Sequence, residues 1–282
     1  MKRAVLAASL ALAAVLAGGM MALAAPPRSG PVAADAPTVP SLAGLMEKEL
    51  HWGMTHDEVI DVYNKVNGLF DREYAPLLAT KQPGVDQQQL EADRDSRKTN
   101  LKRSYTEFLP GSPTGFDVTP IHLEYTYNNG EAVLKLFKDG KNRYMFFIKD
   151  RFWKLCDEIP AKADGPLGGT FQDAVTKLNT LFSVPGRIRP ADAAQGLERT
   201  EADWQDGKSH LRAVDRSSEH LIGLYLADKV TEGNLSSLRV NKAVDPFALD
   251  PSIAAITKKG VSDPNAARTP GADAGKGKTP KR

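Results

Sequence analysis

The chain repeats part of its own pattern, which limits what it can fold into. Tyr127-Asn128-Asn129-Gly130-Glu131-Ala132-Val133-Leu134-Lys135 aligns without gaps on Trp204-Gln205-Asp206-Gly207-Lys208-Ser209-His210-Leu211-Arg212, 77 residues later. Aromatic, turn pair, glycine, leucine and base all recur. Asp150-Arg151-Phe152 is matched by Asp228-Lys229-Val230 at an offset of 78, and Lys65-Val66-Asn67-Gly68-Leu69-Phe70 resembles Lys177-Leu178-Asn179-Thr180-Leu181-Phe182. A helix, a hairpin and a further strand, each occurring twice, predict an α+β protein. Its form would be two tandem repeats, each a helix packed on an antiparallel β-meander of about three to four strands, with an inserted helix in the first.

Turn chemistry assigns side chains to faces. Asn129-Gly130 favours a two-residue type I′ turn, which sets Tyr127 opposite Ala132, Tyr125 opposite Leu134 and Leu123 opposite Leu136. A three-residue loop Lys138-Asp139-Gly140 adds Tyr144, Phe146 and Ile148 to that inner face, and a turn at Asp150-Arg151 adds Trp153 and Leu155. The outer face then carries His122, Glu124, Thr126, Lys135 and Lys154, as suits water, but Val133, Phe137, Met145, Phe147 and Cys156 run across its middle. One-sided antiparallel sheets expose polar residues, so this stripe needs a cover: the other repeat, the inserted helix or a partner protein. Val133, Phe137, Met145 and Phe147 are the candidate contact residues, with Trp52 and His210 beside them. In the second repeat, Asp206-Gly207 pairs Trp204 with Ser209 and puts Ala202, Leu211 and Ala213 inside, with His210, Arg212 and Val214 outward. Leu221 to Leu226 reads as a strand, and Val230 to Val240 as either a weak strand or a short helix.

Both helices announce their starts. Thr55 with Glu58, and Thr170 with Asp173, have the spacing of a capping box. Val59, Tyr63, Val66 and Phe70 share one helical face, as do Phe171, Val175, Leu178 and Leu181. The polar connection after the first helix is too long for a bare loop and predicts an inserted, largely solvated helix over about 86–108.

The ends are of a different composition. Met1-Lys2-Arg3, the apolar run Ala4 to Ala24 and the small-residue site Ala22-Leu23-Ala24 have the order of a secretory signal peptide cut before Ala25; the rival reading is an uncut anchor. Residues 25–44 read as a flexible Pro/Ala-rich spacer and 243–282 as a disordered Pro/Ala/Gly/Lys tail. The first repeat then occupies 45–160 and the second 161–242. No later segment is apolar enough to span a membrane, so the expected location is periplasmic or secreted. Cys156 is the sole cysteine, which leaves no intrachain disulfide and no lipid-accepting thiol behind the signal segment. A net charge of +2 gives no support to nucleic-acid binding, although the basic end, Lys276 to Arg282, could touch an anionic envelope surface.

No motif for catalysis, metal or cofactor stands out. His51 and His56 lack the spacing of paired ligands on one helical face. Cys156 precedes Asp157 and Glu158, which would raise its pKa, and it reads as a half-buried strand thiol. Gly165-Pro166-Leu167-Gly168-Gly169-Thr170 lacks the lysine of a phosphate loop and reads as a turn into the helix cap. Glu91-Ala92-Asp93-Arg94-Asp95 and Asp157-Glu158 read as solvated charge. No catalytic residue, metal site or cofactor is therefore expected.

Gly53-Met54-Thr55 and Glu58-Val59, after a signal peptide and before an antiparallel meander, resemble two groups of exported small domains over Leu50 to about Val240. These are the small lipoprotein of the outer-membrane β-barrel assembly machinery and the β-lactamase inhibitory proteins, the latter themselves tandem helix-plus-sheet repeats. The missing lipid-acceptor cysteine departs from the first group and the missing disulfides from the second. The resemblance implies a scaffold that recognises another protein through a sheet face or an inter-domain groove. The leading expectation is thus an exported, non-enzymatic protein-binding module of the cell envelope, its partner an envelope or secreted protein. The alternative is an exported hydrolase or small-ligand-binding protein using the groove, drawing on His56, Asp57, His122 and His210. A third possibility is a structural filler retained by its basic tail.

Overall fold

The computed structural model describes residues 35–241; the signal peptide read over 1–24, the start of the spacer and the tail read over 243–282 lie outside the described residues. The fold is α+β, built on one antiparallel sheet. Its strands are β1 (Thr106–Glu107), β2 (Glu131–Lys138), β3 (Lys141–Ile148), β4 (Arg151–Pro160), β5 (Arg187–Arg189), β6 (Glu201–Gln205), β7 (Ser209–Arg216) and β8 (Leu221–Asp228). They run in the order β1-β2-β3-β4-β8-β7-β6-β5, so that the last strand of each half meets the other at the centre. Leu155 faces Leu226 and Cys156 faces Tyr225 across that junction.

The helices are α1 (His56–Asn64), α2 (Leu69–Ala79), α3 (Val85–Arg103), α4 (Phe171–Phe182) and two short turns, α5 (Lys229–Gly233) and α6 (Leu235–Leu238). Both capping boxes form: Thr55 with Glu58 opens α1 and Thr170 with Asp173 opens α4. Gly168, at φ +86°, leaves room for Asp173, whose Cβ lies 2.5 Å from where a side chain would begin. The first helix is shorter than its pattern suggests. It stops at Asn64, the chain bends through Asn67 at φ +60°, and α2 starts afresh, leaving Val66 83% exposed rather than on the core face. The inserted helix is α3, largely solvated with Leu101 buried, and ends five residues short of the expected boundary at 108.

Both faces of the sheet are covered. On one, α1, α2 and α4 pack Val59, Tyr63, Phe70, Ala174, Val175 and Leu178 against Leu134, Met145, Phe147, Leu155, Trp204, Leu211 and Leu226 in one continuous core drawn from both halves. Val39 and Leu42 belong to it, so the spacer gives way to ordered chain before residue 44. The Val39 amide donates to the Gln205 carbonyl at 2.7 Å and the Leu42 amide to the Asp206 carboxylate at 2.7 Å. On the other face, residues 108–128, with α5 and α6, cover Val133, Tyr144, Phe146, Ile148, Trp153, Cys156 and Tyr225. Phe108 stacks flat on Tyr125, ring centroids 3.5 Å apart.

Register explains where expectation and structure part. The β2–β3 turn has two residues, Asp139 and Gly140, not three, so Lys138 faces Lys141 and Leu134 faces Met145 instead of Tyr144. A one-residue slip moves every side chain of a strand to the other face. Met145 and Phe147 therefore join the helix-covered core, while Tyr144, Phe146 and Ile148 pass to the other side. Residues 121–127 form no strand paired with β2; His122–Glu124 is a 3₁₀ turn, and the neighbour of β2 is β1. The β3–β4 ladder pairs Phe147 with Phe152 and Phe146 with Lys154, and this bulge puts Trp153 and Lys154 on one face together. At the β6–β7 turn Trp204 faces Leu211 rather than Ser209, a shift of two that leaves the faces as expected.

The 77-residue match sets β2 on β7, yet β2 stands two strands from the junction strand β4 whereas β7 adjoins β8. Likewise Asp150 precedes β4 while Asp228 ends β8. The segment read as strand or helix over 230–240 is helical through Leu238, in α5 and α6.

Gly186 marks the tightest approach in the second half. A Cβ there would fall 2.4 Å from the fully buried Trp204 ring, whose indole N–H donates to the Val184 carbonyl at 3.1 Å. Gly186→Ala is expected to lower unfolding free energy by about 1–3 kcal/mol, measured by denaturant melting, because the indole must move and give up that bond. An unchanged midpoint would contradict this packing.

Candidate functional site

A concavity lies on the helix side, across the junction of the halves. It is a cleft of about 620 Å³, floored by Leu155, Leu211, Leu224 and Leu226 from β4, β7 and β8. Residues 44–47 form one wall, the β2–β3 turn another and the loop of Lys162, Gly165, Pro166 and Leu167 a third. The floor is apolar because alternate residues of these strands point into it. The Gly165 amide donates to the Lys162 carbonyl at 2.8 Å, and this turn carries the third wall toward the α4 cap.

Charge is concentrated at one end. Arg143 is buried, with its guanidinium forked onto Asp157 at 2.7 and 2.8 Å and also bonded to Glu47. Lys141 donates to Asp157 at 2.6 Å and Lys138 to Glu47 at 3.0 Å. Burial alone would raise both carboxyl pKa values, but Arg143, aided by Lys138 at Glu47 and by Lys141 at Asp157, outweighs it and holds both below their ordinary values. Arg143 is correspondingly raised, since its desolvation is outweighed by the two acids. With Asp139 and Lys162 included, the lining carries four cations against three carboxylates. The cleft thus offers an aliphatic floor beside a slightly cationic rim.

The residues singled out from sequence fall elsewhere. Val133, Met145 and Phe147 are fully buried, the first on one side of the sheet and the other two on the opposite side. They do not form a common outer stripe. Phe137 is 64% exposed, at the end of β2. Trp52 is half-buried against Phe152 and donates from its indole to Ser209 at 3.1 Å. His210 lies on the expected face of β7 but is fully buried there, its Nδ1 2.8 Å from Glu232 and its Nε2 3.6 Å from Asp203. Cys156 is likewise wholly buried, with burial pushing its thiol pKa well up.

The histidines of the enzymatic alternative do not share a site. His56 stacks on Tyr105 on the helix side, with Nδ1 2.7 Å from Asp150, and Asp57 lies beside it; His122 is exposed in the loop over the other face, where His210 is buried in β7. Among the described residues no group of three or more His, Cys, Asp or Glu side chains could hold a metal ion, and no helix is long and apolar enough to cross a membrane.

Sequence reasoning missed the cleft because its residues come from distant segments. Asp157 and Glu158, read as solvated, are buried and paired with Arg143 and Arg216, and Lys154, assigned to water, donates to Glu124 at 2.9 Å. One local signal was present: Lys141 and Arg143 share their face of β3 with Met145 and Phe147. Comparison of the chain with known protein families, curated proteins and solved structures finds no match.

Two outcomes test this geometry. Phe147→Asp should destabilise the protein by more than about 3 kcal/mol by placing an unpaired charge in the core, whereas Phe137→Asp should stay within about 0.5 kcal/mol of wild type. Arg143→Met takes the guanidinium from buried Asp157 and part-buried Glu47, leaving each with one lysine, and should cost about 1–3 kcal/mol at neutral pH. Because both acids are depressed, their contribution is present above their unfolded values near 4 and lost as pH falls through the lower folded values. The Arg143→Met deficit should therefore shrink as melts are taken toward acid, and a deficit independent of pH would refute the assignment.

Proposed function

We propose that this chain is an exported, non-enzymatic protein-binding module of the cell envelope, built as two tandem helix-plus-meander units, that receives a segment of its partner in the cleft across the junction. The observation that carries the reading is the cleft itself: a concavity whose floor, half-buried Leu224 over buried Leu155, Leu211 and Leu226, is contributed by strands of both halves, with a surplus cation at its rim. Such a lining suits a partner segment with an aliphatic side chain and a neighbouring carboxylate, the first covering Leu224 and the second meeting the rim. The order of charge, apolar run and small-residue site over residues 1–24 supports export, and the resemblance to exported inhibitory and assembly domains supports protein recognition. The dispersal of His56, His122 and His210 favours binding over hydrolysis.

A cleft of this volume also falls within the range of small-molecule sites, which keeps the small-ligand alternative specific to the same place. Affinity capture from envelope extract with the chain from Ala25 to Arg282 separates the two. Leu224 is half-buried in the floor, so Leu224→Asp should fold and yet weaken partner retention at least about tenfold by blocking the apolar contact, with Lys162→Glu weakening it less. A partner held equally by all three proteins would remove the cleft from the reading. Absence of any protein partner, together with an apolar small molecule that raises the melting temperature of wild type but not of Leu224→Asp, would establish the alternative.

A further inference from the structure

After β8 the chain turns back over the sheet face opposite the cleft, forming a strap of α5, α6 and residues 239–241. No residue of either helix is fully buried, so the strap is held largely by polar contacts at its two ends. At the far end Arg239 forks onto the Glu131 carboxylate at 2.8 and 2.8 Å, and the Asn241 amide donates to the Asn129 side chain at 3.0 Å. At the near end Lys229 donates to Gln205 at 2.6 Å, and Glu232 meets the buried ring of His210 at 2.8 Å. Leu235 and Leu238 pack against the second core between these ends.

The groups facing His210 come from three elements. Asp203 of β6 lies 3.6 Å from Nε2, and Glu232 of α5 lies 2.8 Å from Nδ1. Arg212, next but one along β7, is the opposing cation, itself bonded to Glu201 at 3.0 Å and Glu124 at 2.8 Å. With Glu232 bonded to Nδ1 and Asp203, itself held by Arg187, 3.6 Å from Nε2, the charged ring faces two carboxylates, and the neutral ring gives up that attraction.

We propose that the strap over residues 229–241 is a pH-sensitive latch, closed while His210 is protonated between Asp203 and Glu232 and loosened at its α5 end when that proton leaves. Burial lowers the affinity of His210 for the proton, but the neighbouring carboxylates of Asp203 and Glu232 outweigh it and raise the pKa above the ordinary histidine value. A group raised on folding contributes in full below its unfolded pKa, near 6.5, and loses that contribution as pH climbs through the folded value. The latch is therefore closed in mild acid and opens on the alkaline side.

Hydrogen exchange of the whole protein, corrected for the intrinsic pH dependence of exchange, tests this between about pH 5.5 and 8.5. Amides of residues 229–241 should lose at least about tenfold in protection across that interval, the loss of one charge-assisted bond, while those of β3 and β4 keep theirs. In Glu232→Gln, a change on the half-exposed strap that spares the sheet, strap protection should be low and flat with pH. His210→Gln should behave alike if it folds; Glu232→Gln decides the matter if it does not. A wild-type strap whose protection is independent of pH, or a Glu232→Gln strap that keeps the wild-type profile, would overturn the proposal.

Discussion

The pairing of β4 with β8 is the constraint on which the rest of the structure depends. It joins the closing strands of the two halves into one sheet, so that Leu155 against Leu226 lies at the midpoint of a shared core instead of at the margin of two. Short parallel connections are unavailable to such an arrangement, and the chain reaches the junction from both ends by antiparallel turns. Sharing the sheet removes one exposed edge from each half, leaving β1 and β5, both very short, as the outermost strands. Short outer strands offer little template for unwanted pairing. The same junction places the leucines of β7 and β8 beside that of β4, and the cleft follows from it.

Much of the local structure was legible and the long-range structure was not. Thr55 with Glu58 and Thr170 with Asp173 are self-contained signals within four residues, and both caps form as read. The hairpin faces depended on counting loop residues at Lys138-Asp139-Gly140, where one residue decides which side of the sheet Met145 and Phe147 occupy. Alternation of apolar residues could not arbitrate, because both faces of β3 are buried, and Tyr144, Phe146 and Ile148 satisfy the pattern as well as Met145 and Phe147. The shift of two at Trp204, by contrast, kept the faces right. Val66 misled for another reason: helical spacing continued through Lys65 to Gly68, but the chain leaves the helix at Lys65, ψ 163°, and turns at the left-handed Asn67. The cleft was beyond reach, since Glu47, Arg143 and Asp157 meet only after the sheet is assembled.

A sheet covered on both sides must place its charges somewhere, and here the two faces do so differently. On the cleft side one cluster around Arg143 sits at the rim, and the remainder of the floor is aliphatic. On the other, Glu124 bridges Lys154 and Arg212, Glu158 holds Arg216, and Asp203 and Glu232 enclose His210, all beneath covering chain. Desolvating so many ions costs several kcal/mol each, which pairing offsets only when geometry is good, so these networks contribute less to stability than packed side chains of equal volume. What they fix is position: residues 108–128 and the strap can satisfy Lys154, Arg212 and His210 in one arrangement only. The aromatic contacts of Phe108, Tyr125 and Tyr127 would tolerate sliding, whereas a carboxylate displaced from Lys154 or His210 leaves a buried charge alone. Apolar burial thus holds the layers together, and the buried ions on the second face set how the covering chain lies upon it.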